Sequence, residues 1–442
     1  MEPNIILIVC DSLRKDIMEL YGGKAKTPNL IELSKDSMVY ENCVAPSPWT
    51  FPSHVSLFTG LYLNEHGVHE TEDSVLLDLS KPNINLKAER LAEYLYDLGY
   101  NTLGISNNPM VSATTGFDIG FNNLFFIDPF PINKEDPLFK EAKNIGASPL
   151  SIAIRLIKSG NFKKLFEFYN IKRKEKLTSK ALNFPLDKGA SLTNRLLKST
   201  NIKEKSFIFI NFMEVHEPYR NYNSKKVWDN ITGIKKLDKK FVDNVRKEYL
   251  KEMEYLDYQI GLFIKHLKNM NLYDDSLIIV TSDHGQALNE HGYLLHKVYL
   301  YEELTRIPLI IKYPKNKKFE NKNGYQSLIS IKNLIKSVIQ GGDDSQLYLD
   351  KVFSEAYGAD IILPGGYKGR EKYIKDTYEK RRKAVYKDGF KLTVNGTDGK
   401  IEEFMKDGKN INLEDNKNKV NELLEEIEIF KGKEDFKIPY IN

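Results

Sequence analysis

Histidine side chains are concentrated in a few short segments, a distribution that suits metal or anion binding. The chain has eight histidines. Seven of them lie in four segments: His54, His66 and His69; His216; His284; and His291 and His296. Imidazole ligates divalent metals and binds anions when protonated, so this clustering predicts a site that uses it. His266 lies in an amphipathic helical pattern, where a structural or solvated histidine is expected.

Two acidic motifs follow buried apolar runs. Asp11 comes directly after residues 5–10, and Asp283-His284-Gly285 comes after residues 277–281. A carboxylate at the end of a buried strand is costly unless it is paired, hydrogen-bonded or bound to a metal. Each motif could also cap a helix. If the two strands belong to the same sheet, the two carboxylates and one imidazole favour a divalent ion such as Mn, Mg, Ca or Zn.

Residues 46–60 contain the candidate nucleophile. Prolines at positions 46, 48 and 52 restrict the approach to Thr50, and the run from Ser53 has a helical pattern. Thr50 is therefore predicted just before a helix N-terminus, where free N–H groups and the helix dipole favour an oxyanion. Its hydroxyl could act as a nucleophile if a metal lowers its pKa. The alternative is an N-cap threonine without catalytic function.

Four short apolar runs are expected to be the buried parallel strands that position these residues. They are residues 5–9, 207–212, 277–280 and 307–311. Helical patterns lie between them at residues 88–98, which end before Gly99, and at 245–270. Strands alternating with helices predict a mostly parallel sheet covered on both faces. Ligands bind such sheets beyond the carboxyl ends of the strands.

Two regions differ from this pattern. Residues from about 128 to 205 are rich in lysine and helical in pattern, and we interpret them as an insertion. After residue 312, Asp-Gly and Asn-Gly pairs separate short alternating segments, which indicates β-hairpins. A helix is predicted at 420–430. We therefore predict a catalytic domain over residues 1–312 and a small C-terminal α+β subdomain with an antiparallel sheet over residues 313–442.

Composition excludes several classes of protein. Hydrophobic residues make up 41% and charged residues 29%, which is an ordinary globular balance. The net charge of +4 across 442 residues gives little support for nucleic acid as a partner, and two cysteines cannot form a disulfide scaffold. The first residues lack the pattern of a signal peptide, and no apolar run is long enough to span a bilayer. A cytoplasmic protein is expected, of undetermined oligomeric state.

Three further positions have more than one interpretation. Asn107-Asn108-Pro109 follows a strand-like run at 102–105, so its amides could bind substrate oxygens or form an Asx turn. Arg14 could approach an anion near Asp11, but a surface ion pair is the favoured interpretation. Trp49 could line a pocket next to Thr50 or pack in the core.

An ordered set of motifs running through nearly the whole chain resembles the sulfatase family of the alkaline phosphatase superfamily. The motifs are Asp11-Ser12-Leu13-Arg14, Thr27-Pro28-Asn29-Leu30, Thr50-x-Pro-Ser-His, Ser56-Leu57-Phe58-Thr59-Gly60, His66-Gly67, His216-Glu217-Pro218-Tyr219, Thr281-Ser282-Asp283-His284-Gly285, Glu290-His291-Gly292, His296-Lys297 and Arg306-Ile307-Pro308-Leu309-Ile310. The resemblance implies an α/β, alkaline-phosphatase-like three-layer sandwich.

The resemblance also implies roles for individual residues. Asp11, Asp283 and His284 match metal ligands, and Thr50 matches the nucleophile, which also touches the metal. The groups expected to bind the ester oxygens or to assist the leaving alcohol are His216 and Lys297, with His296 and His54 as further candidates. One divalent ion (Mn, Zn, Ca or Mg) is the implied cofactor, and a second is possible but not favoured. The implied substrate is a small anionic ester.

Three departures from the common sulfatase pattern bear on the substrate. Such sulfatases convert a Cys or Ser to formylglycine, but Thr50 has a methyl group on its β-carbon and would give a ketone. His54 stands where they carry an Arg, and Ser12 replaces a second Asp. Threonine nucleophiles in this superfamily resemble those of nucleotide pyrophosphatase/phosphodiesterases and lipoteichoic-acid-type phosphotransferases.

These departures favour a metal-dependent phosphodiester or phosphonate-ester hydrolase that attacks through Thr50. Three alternatives remain open at this stage. They are a sulfuric ester hydrolase without formylglycine, a phosphoryl-group transferase, and a non-catalytic anion-binding protein on the same fold.

Overall fold

The computed structural model describes residues 2–69, 87–128, 186–200, 202–220, 222–320, 322–358, 363 and 365–439. The strands are β1 Ile5–Cys10, β2 Met38–Tyr40, β3 Cys43–Val44, β4 Asn101–Ser106, β5 Asn123–Phe126, β6 Ser206–Phe212, β7 Leu277–Thr281, β8 Ala287–Leu288, β9 Leu294–Leu295, β10 Leu309–Lys312, β11 Gln326–Ser327, β12 Lys351–Ala356, β13 Arg382–Lys387, β14 Phe390–Asn395, β15 Lys400–Lys406 and β16 Lys409–Asn410. The α-helices are α1 Pro28–Lys35, α2 Thr50–Thr59, α3 Leu63–His66, α4 Leu91–Asp97, α5 Ala190–Ser199, α6 Ser224–Ile231, α7 Lys239–Asn269, α8 Glu302–Thr305, α9 Ile331–Ile339, α10 Glu371–Tyr378 and α11 Lys417–Lys431.

A mostly parallel sheet forms the centre of the molecule. Its strand order is β2-β10-β7-β1-β6-β4-β5. The five strands from β7 to β5 run parallel to one another. Their registers align the strand ends, with Cys10 opposite Phe212 and Val9 opposite Thr281. The carboxyl ends of β1, β4, β6 and β7 therefore meet at one edge, as the sequence predicts.

Helices cover both faces of this sheet and confirm the three-layer architecture. Ile6, Ile8 and Cys10 face a core shared with α1, α5 and α7. Ile5, Leu7 and Val9 face the opposite core, which is shared with α2, α4 and α9. Successive strand residues point to opposite faces, and both faces are buried, which explains why β1 is apolar throughout.

The prediction of a parallel strand at residues 307–311 is wrong. β10 begins at Leu309 and pairs antiparallel with both β7 and β2, with Leu309 opposite Thr281. A strand buried on both faces has the same apolar composition in either direction, so composition could not reveal its direction.

The predicted helices are present with shifted boundaries. α4 begins at Leu91 rather than at residue 88, and Gly99 follows it with φ +80°. α7 begins six residues earlier than its predicted start at 245, after Asp238, whose side chain accepts a hydrogen bond from Phe241 N. Helix α2 begins at Thr50 itself, so Thr50 is its first residue rather than the one before it.

The C-terminal antiparallel sheet is confirmed, with strand order β12-β13-β14-β15-β16. Asp388-Gly389 connects β13 to β14, and α11 packs on this sheet. The domain boundary at residue 312 stays a prediction. Of the predicted insertion, residues 129–185 lie outside the described residues, and α5 occupies part of the remainder. None of the described helices combines the length and apolar sequence that crossing a bilayer requires.

Candidate active site

Asp11, Asp283 and His284 come together at the carboxyl ends of β1 and β7. All three side chains are fully buried. His284 Nε2 lies 3.8 Å from Asp11 Oδ1 and 3.5 Å from Asp283 Oδ2. The Nδ1 of His284 is 2.7 Å from the carbonyl oxygen of Gly285. Since a carbonyl only accepts, Nδ1 carries the proton and Nε2 presents a lone pair to the carboxylates.

Thr50 places its hydroxyl in the same cluster. Thr50 Oγ1 is 3.1 Å from His284 Nε2 and donates to Asp11 Oδ2 at 3.4 Å. A hydrogen bond from Ser53 Oγ to the carbonyl oxygen of Asp283, at 2.6 Å, fixes the first turn of α2 against the turn after β7. The structure thus brings the predicted nucleophile to the predicted ligands.

Ser12 holds both carboxylates in place. Its backbone N–H donates to Asp283 Oδ1 at 3.1 Å, and its hydroxyl donates to Asp11 Oδ1 at 3.1 Å. Ser12 has φ +62°, which turns its N–H toward Asp283. Asn108 adds a hydrogen bond from Nδ2 to Asp11 Oδ2 at 2.6 Å, while its Oδ1 accepts from Met110 N. Asn108 therefore forms an Asx-type turn and orients a carboxylate at once.

The two carboxylates have different electrostatic surroundings. Burial and the neighbouring Asp11 charge raise the pKa of Asp283 to about 7. Burial also acts against ionisation of Asp11, but the imidazoles of His216, His284 and His54 outweigh it and lower its pKa. Asp283 Oδ2 has no hydrogen-bond partner among the described residues. A buried carboxylate oxygen without a partner is costly and fits a cation.

The donor set fits one divalent metal. Asp11, Asp283 and His284 offer ligand atoms that all lie within 4.8 Å of one another. Two carboxylates, a neutral imidazole nitrogen and the Thr50 hydroxyl are ligand types that Mn and Zn accept. A cation here would satisfy the unpartnered oxygen of Asp283.

His216 and His296 lie beside this cluster. The His296 ring stacks on the His284 ring with centroids 4.4 Å apart, and the His216 ring is 5.1 Å from that of His296. His216 Nδ1 donates to Glu217 O at 2.6 Å, and His296 Nδ1 donates to Gln286 Oε1 at 2.9 Å. In the part of the chain that the structure describes, neither Nε2 is hydrogen-bonded.

Opposite pKa shifts separate these two imidazoles. Burial, with the charges of His284, His216 and Lys297, lowers the pKa of His296 well below its usual value. Burial also acts on His216, but the charges of Glu217 and Asp11 outweigh it and raise its pKa. His216 is therefore the better proton donor, and His296 is the better acceptor.

Glu217 and Gln286 are site residues that the sequence analysis missed. Gln286 Nε2 donates to Glu217 Oε2 at 3.0 Å, and this oxygen lies 3.8 Å from His216 Nδ1 and 3.9 Å from His296 Nδ1. Glu217 lies inside the motif His216-Glu217-Pro218-Tyr219, and Gln286 directly follows His284-Gly285. Their positions in and beside these motifs were the only indication in the sequence that they belong to the site. His216, Glu217 and His296 also meet the spacing of a metal site. However, both Nδ1 atoms carry protons, which favours hydrogen bonding there over a second metal.

His54 contacts Thr50 within the first turns of α2, and Lys297 contacts the segment just before α2. His54 Nδ1 donates to the carbonyl of Thr50 at 2.8 Å, and its Nε2 accepts from Asn211 at 3.2 Å. Lys297 donates its backbone N–H to Pro48 O at 2.9 Å, and its Nζ lies 4.7 Å above the Trp49 ring. Trp49 therefore packs against a predicted substrate-binding lysine.

Several candidate residues lie outside the cluster. His66 bonds to Ser56 and to Val68 N, and His69 stacks on Tyr357. His291 stacks on Tyr301 and meets Glu303. His266 lies in α7.

The expected surface ion pair of Arg14 is wrong in one respect, since Arg14 is only 3% exposed. It pairs with Asp16 and Glu290 at 2.6 Å. Packing of the β1 loop against residues 286–290 buries the guanidinium, and this contact is not visible in the local sequence.

Comparison with known proteins identifies the family of this chain. A family model described as Sulfatase matches residues 3–340, well over half of the chain. The chain belongs to the sulfatase family. This agrees with the alkaline-phosphatase-like fold described above.

Individual sulfatase-family relatives are distant. An N-acetylglucosamine-6-O-sulfatase of Bacteroides thetaiotaomicron is 22% identical over 363 residues, covering 71% of this chain but 63% of that protein. The chain thus spans less than two thirds of that relative. The multifunctional alkaline phosphatase superfamily protein PehA of Trinickia caryophylli is 25% identical over 376 residues, covering 70% and 68%.

A solved structure has the same fold. The phosphonate monoester hydrolase of Agrobacterium radiobacter aligns with a TM-score of 0.64 and 16% identity, covering 97% of this chain and 94% of that one. At this identity the likeness concerns the fold alone.

Proposed function

We propose that the protein is a metal-dependent hydrolase of phosphodiesters or phosphonate monoesters that uses Thr50 as its nucleophile. The position of the Thr50 hydroxyl carries the proposal, since Oγ1 lies 3.1 Å from His284 Nε2 and 3.4 Å from Asp11 Oδ2. A threonine held as an N-cap would bond to the backbone of its own helix. Here the hydroxyl faces charged and ligand-type groups instead.

The residues that would hold the metal are Asp11, Asp283, His284 and Thr50. A divalent ion bound there would lower the pKa of the Thr50 hydroxyl and offset negative charge on the ester oxygens. We favour one ion, Mn or Zn, because an imidazole ligand suits these better than Ca. Ser12 and Asn108 keep the carboxylates oriented toward it.

The surrounding imidazoles supply proton transfer. Thr50 loses its hydroxyl proton to solvent water, and its Oγ1 forms a bond to phosphorus. The bond from phosphorus to the alcohol oxygen breaks, and protonated His216 gives its Nε2 proton to that oxygen. In the second step the oxygen of a water molecule forms a bond to phosphorus and neutral His296 accepts a proton from that water, while the bond from phosphorus to Thr50 Oγ1 breaks and Oγ1 takes up a proton from solvent. Lys297 would bind an ester oxygen. Pairs of groups with opposed pKa shifts commonly divide acid and base roles in this way.

Sulfate ester hydrolysis is the second candidate. Relatives of this chain carry names such as N-acetylglucosamine-6-O-sulfatase and arylsulfatase. The absence of a formylglycine precursor at position 50 argues against the usual sulfatase chemistry, because only Cys or Ser can form the aldehyde. Non-catalytic anion binding is an outcome that the same experiment would reveal, and phosphoryl-group transfer stays a third alternative.

The test is a rate comparison on metal-assayed protein with an aryl phosphodiester, an aryl phosphonate monoester, an aryl phosphomonoester and an aryl sulfate. Each is assayed with Mn, Zn, Mg and Ca. Thr50→Val removes the hydroxyl with little change in volume, and we expect turnover to fall by at least about a thousandfold. Thr59→Val is the control, since Thr59 is buried at the other end of α2 and donates to Val55 O.

Dominant phosphodiester or phosphonate turnover that depends on Thr50 supports the proposal. Dominant sulfate turnover would support the second candidate. If Thr50→Val keeps the wild-type rate, Thr50 is not the nucleophile. If no ester is hydrolysed with any metal, the catalytic proposal fails and anion binding remains.

A further inference from the structure

Lys188 is a buried cation that contacts the loop carrying His216. It lies two residues before α5 and is fully buried. Its Nζ donates to the carbonyl oxygens of Glu214 and His216, each at 2.6 Å. These carbonyls lie on the loop that leaves β6 at the active-site edge. Lys188 itself touches none of the proposed reacting groups.

A second contact joins the same two segments. Glu214 Oε1 accepts from the backbone N–H of Lys188 at 3.2 Å and from that of Ala190 at 2.9 Å. Gly189 between them packs against Asn107, where an added Cβ would lie 2.5 Å from the amide nitrogen. The segment 188–190 is therefore pinned between the loops after β4 and β6.

Burying an ammonium group here requires compensation. Glu252 Oε2 lies 3.6 Å from Lys188 Nζ, and the Tyr219 ring lies 5.3 Å from it. Neither carboxylate oxygen of Glu252 has a hydrogen-bond partner among the described residues. A buried charge retained with such incomplete pairing is poorly explained by stability alone, since an apolar side chain of the same size would cost less.

The contacts act on the orientation of His216. On one side, His216 N donates to Met213 O at 3.1 Å and fixes the loop. The His216 ring is fixed by Nδ1, which donates to Glu217 O. Lys188 fixes the other side by holding the carbonyl of His216 itself. Small displacements of a reacting group, on the order of 1 Å, reduce turnover by about a hundredfold.

We propose that Lys188 is a positioning residue that holds the His216 imidazole in reacting geometry through the carbonyls of Glu214 and His216. The proposal rests on the role given to His216 in the proposed function. It assigns a role in the reaction to the segment that directly follows residues 129–185. Lys188 does not touch the substrate, so its effect must pass through His216.

A double-mutant cycle tests this dependence. Lys188→Met, His216→Ala and the double variant are assayed on the aryl ester that the wild type hydrolyses best, with metal content measured for each. We expect Lys188→Met to lower kcat by about 10- to 100-fold with KM and bound metal little changed. In the His216→Ala background the same change should cost less than about threefold.

Lys312 provides a matched control. It is also fully buried, and its Nζ donates to the carbonyls of Tyr273, Asp274 and Ser276. These precede β7, so Lys312 lies at the opposite edge of the sheet from the active site. Lys312→Met should lower stability but leave kcat within about threefold of wild type.

The proposal is overturned if Lys188→Met lowers kcat by the same factor in the wild-type and His216→Ala backgrounds. It is also overturned if Lys312→Met lowers kcat as much as Lys188→Met does. Neither result would affect the role of His216. If His216→Ala alone has no effect, the role of His216 in the proposed function fails as well. If Lys188→Met does not fold, Lys188→Gln, which retains an N–H donor, replaces it in the cycle.

A binding measurement gives a readout that does not need turnover. The affinity for inorganic phosphate is measured by calorimetry on metal-loaded protein. Lys188→Met should bind phosphate within about threefold of the wild-type affinity, in line with the unchanged KM, because His216 acts on the leaving alcohol. A marked loss of phosphate affinity in Lys188→Met would contradict the proposal.

Discussion

Asp283 combines complete burial with an oxygen, Oδ2, that accepts no hydrogen bond from any described residue, although His54 Nδ1 lies 3.6 Å from it. Its Oδ1 is bonded to the backbone N–H groups of Ser12 and His284, so the carboxylate is held rigidly. Its Oδ2 faces the ring of His284. A carboxylate fixed in this way can bind a cation. Without a cation its ionised form is unfavourable, because the negative charge of Asp11 lies close by.

This arrangement predicts a specific pH dependence for Asp283→Asn. The pKa of Asp283 is raised to about 7 in the folded, metal-free protein, from an unfolded value near 3.8. Between these values the folded state holds a proton that the unfolded state has released, so rising pH destabilises the wild type. Asparagine does not titrate. The unfolding free energy of Asp283→Asn relative to wild type should therefore rise between pH 4 and pH 7.

Urea unfolding of chelator-treated protein at several pH values measures this difference. Parallel pH curves for the two proteins would show that Asp283 does not titrate in this range. Metal binding provides the control, since adding Mn or Zn should stabilise the wild type and have much less effect on Asp283→Asn.

The sequence identified most residues of the proposed site but not their hydrogen-bonding states. Asp11, Thr50, Asp283 and His284 were identified from their positions after apolar runs and from the family motifs. Which nitrogen of His296 carries the proton depends on Gln286, and no local pattern predicts the side-chain conformation of Gln286. Glu217 was missed for the same reason.

At the scale of elements, the turn after β7 depends on a close backbone contact. A Cβ on Gly285 would lie 1.9 Å from the carbonyl oxygen of Glu303. Gly285 N also donates to Leu304 O at 2.8 Å. The turn that presents His284 is thus packed directly on α8, and only glycine fits there.

Gly285→Ala is expected to displace this turn. We expect a loss of about 1–3 kcal/mol of stability from overpacking and a loss of metal affinity, because His284 must move. Gly341→Ala is the control, since Gly341 has φ +80° and open space around it, so it should cost about 1–2 kcal/mol and leave metal affinity unchanged. Thermal unfolding and metal titration distinguish the two. Unchanged metal affinity in Gly285→Ala would show that the turn can shift without moving His284.

The sequence predicted the type of an element where its hydrophobic pattern was clear, but it did not predict the direction of a strand in the sheet. β1, β6 and β7 were recognised from short apolar runs, and α11 from its helical pattern. The direction of β10 depends on its partners, and β10 lies antiparallel to β7. The apolar composition of a strand is the same for both arrangements.

At the scale of the whole molecule, a buried ionic cluster joins the C-terminal sheet to segments on either side of α2. Lys383 Nζ lies 2.5 Å from Glu355 Oε1 and 2.7 Å from Glu434 Oε2. Glu355 N donates to Pro46 O at 2.9 Å, and Glu355 Oε2 accepts from Asn64 N at 3.2 Å. The segment before Thr50 is therefore supported by β12.

Lys383→Met should be strongly destabilising, by about 3–5 kcal/mol, because it leaves buried carboxylates without a cation. Lys383→Met combined with Glu355→Gln should recover part of this loss. Lys225→Met provides the control, because the Lys225–Asp229 pair lies at the surface, where Lys225 is 78% exposed, and we expect only a small change. Denaturant unfolding measures all three. Equal effects at Lys383 and Lys225 would mean that the buried cluster does not stabilise the fold.

The cytoplasmic location and the domain boundary at residue 312 stay predictions.

The sequence by itself determined the family, the architecture and the residue types at the site. These follow from side-chain chemistry and from hydrophobic patterns along the chain, which are local properties. Only the tertiary structure decided that Thr50 Oγ1 meets His284 Nε2 across 234 residues of chain, and that Lys188 holds the His216 loop. Such contacts depend on how distant segments pack and on which side-chain conformations that packing allows, and neither is encoded in any one segment.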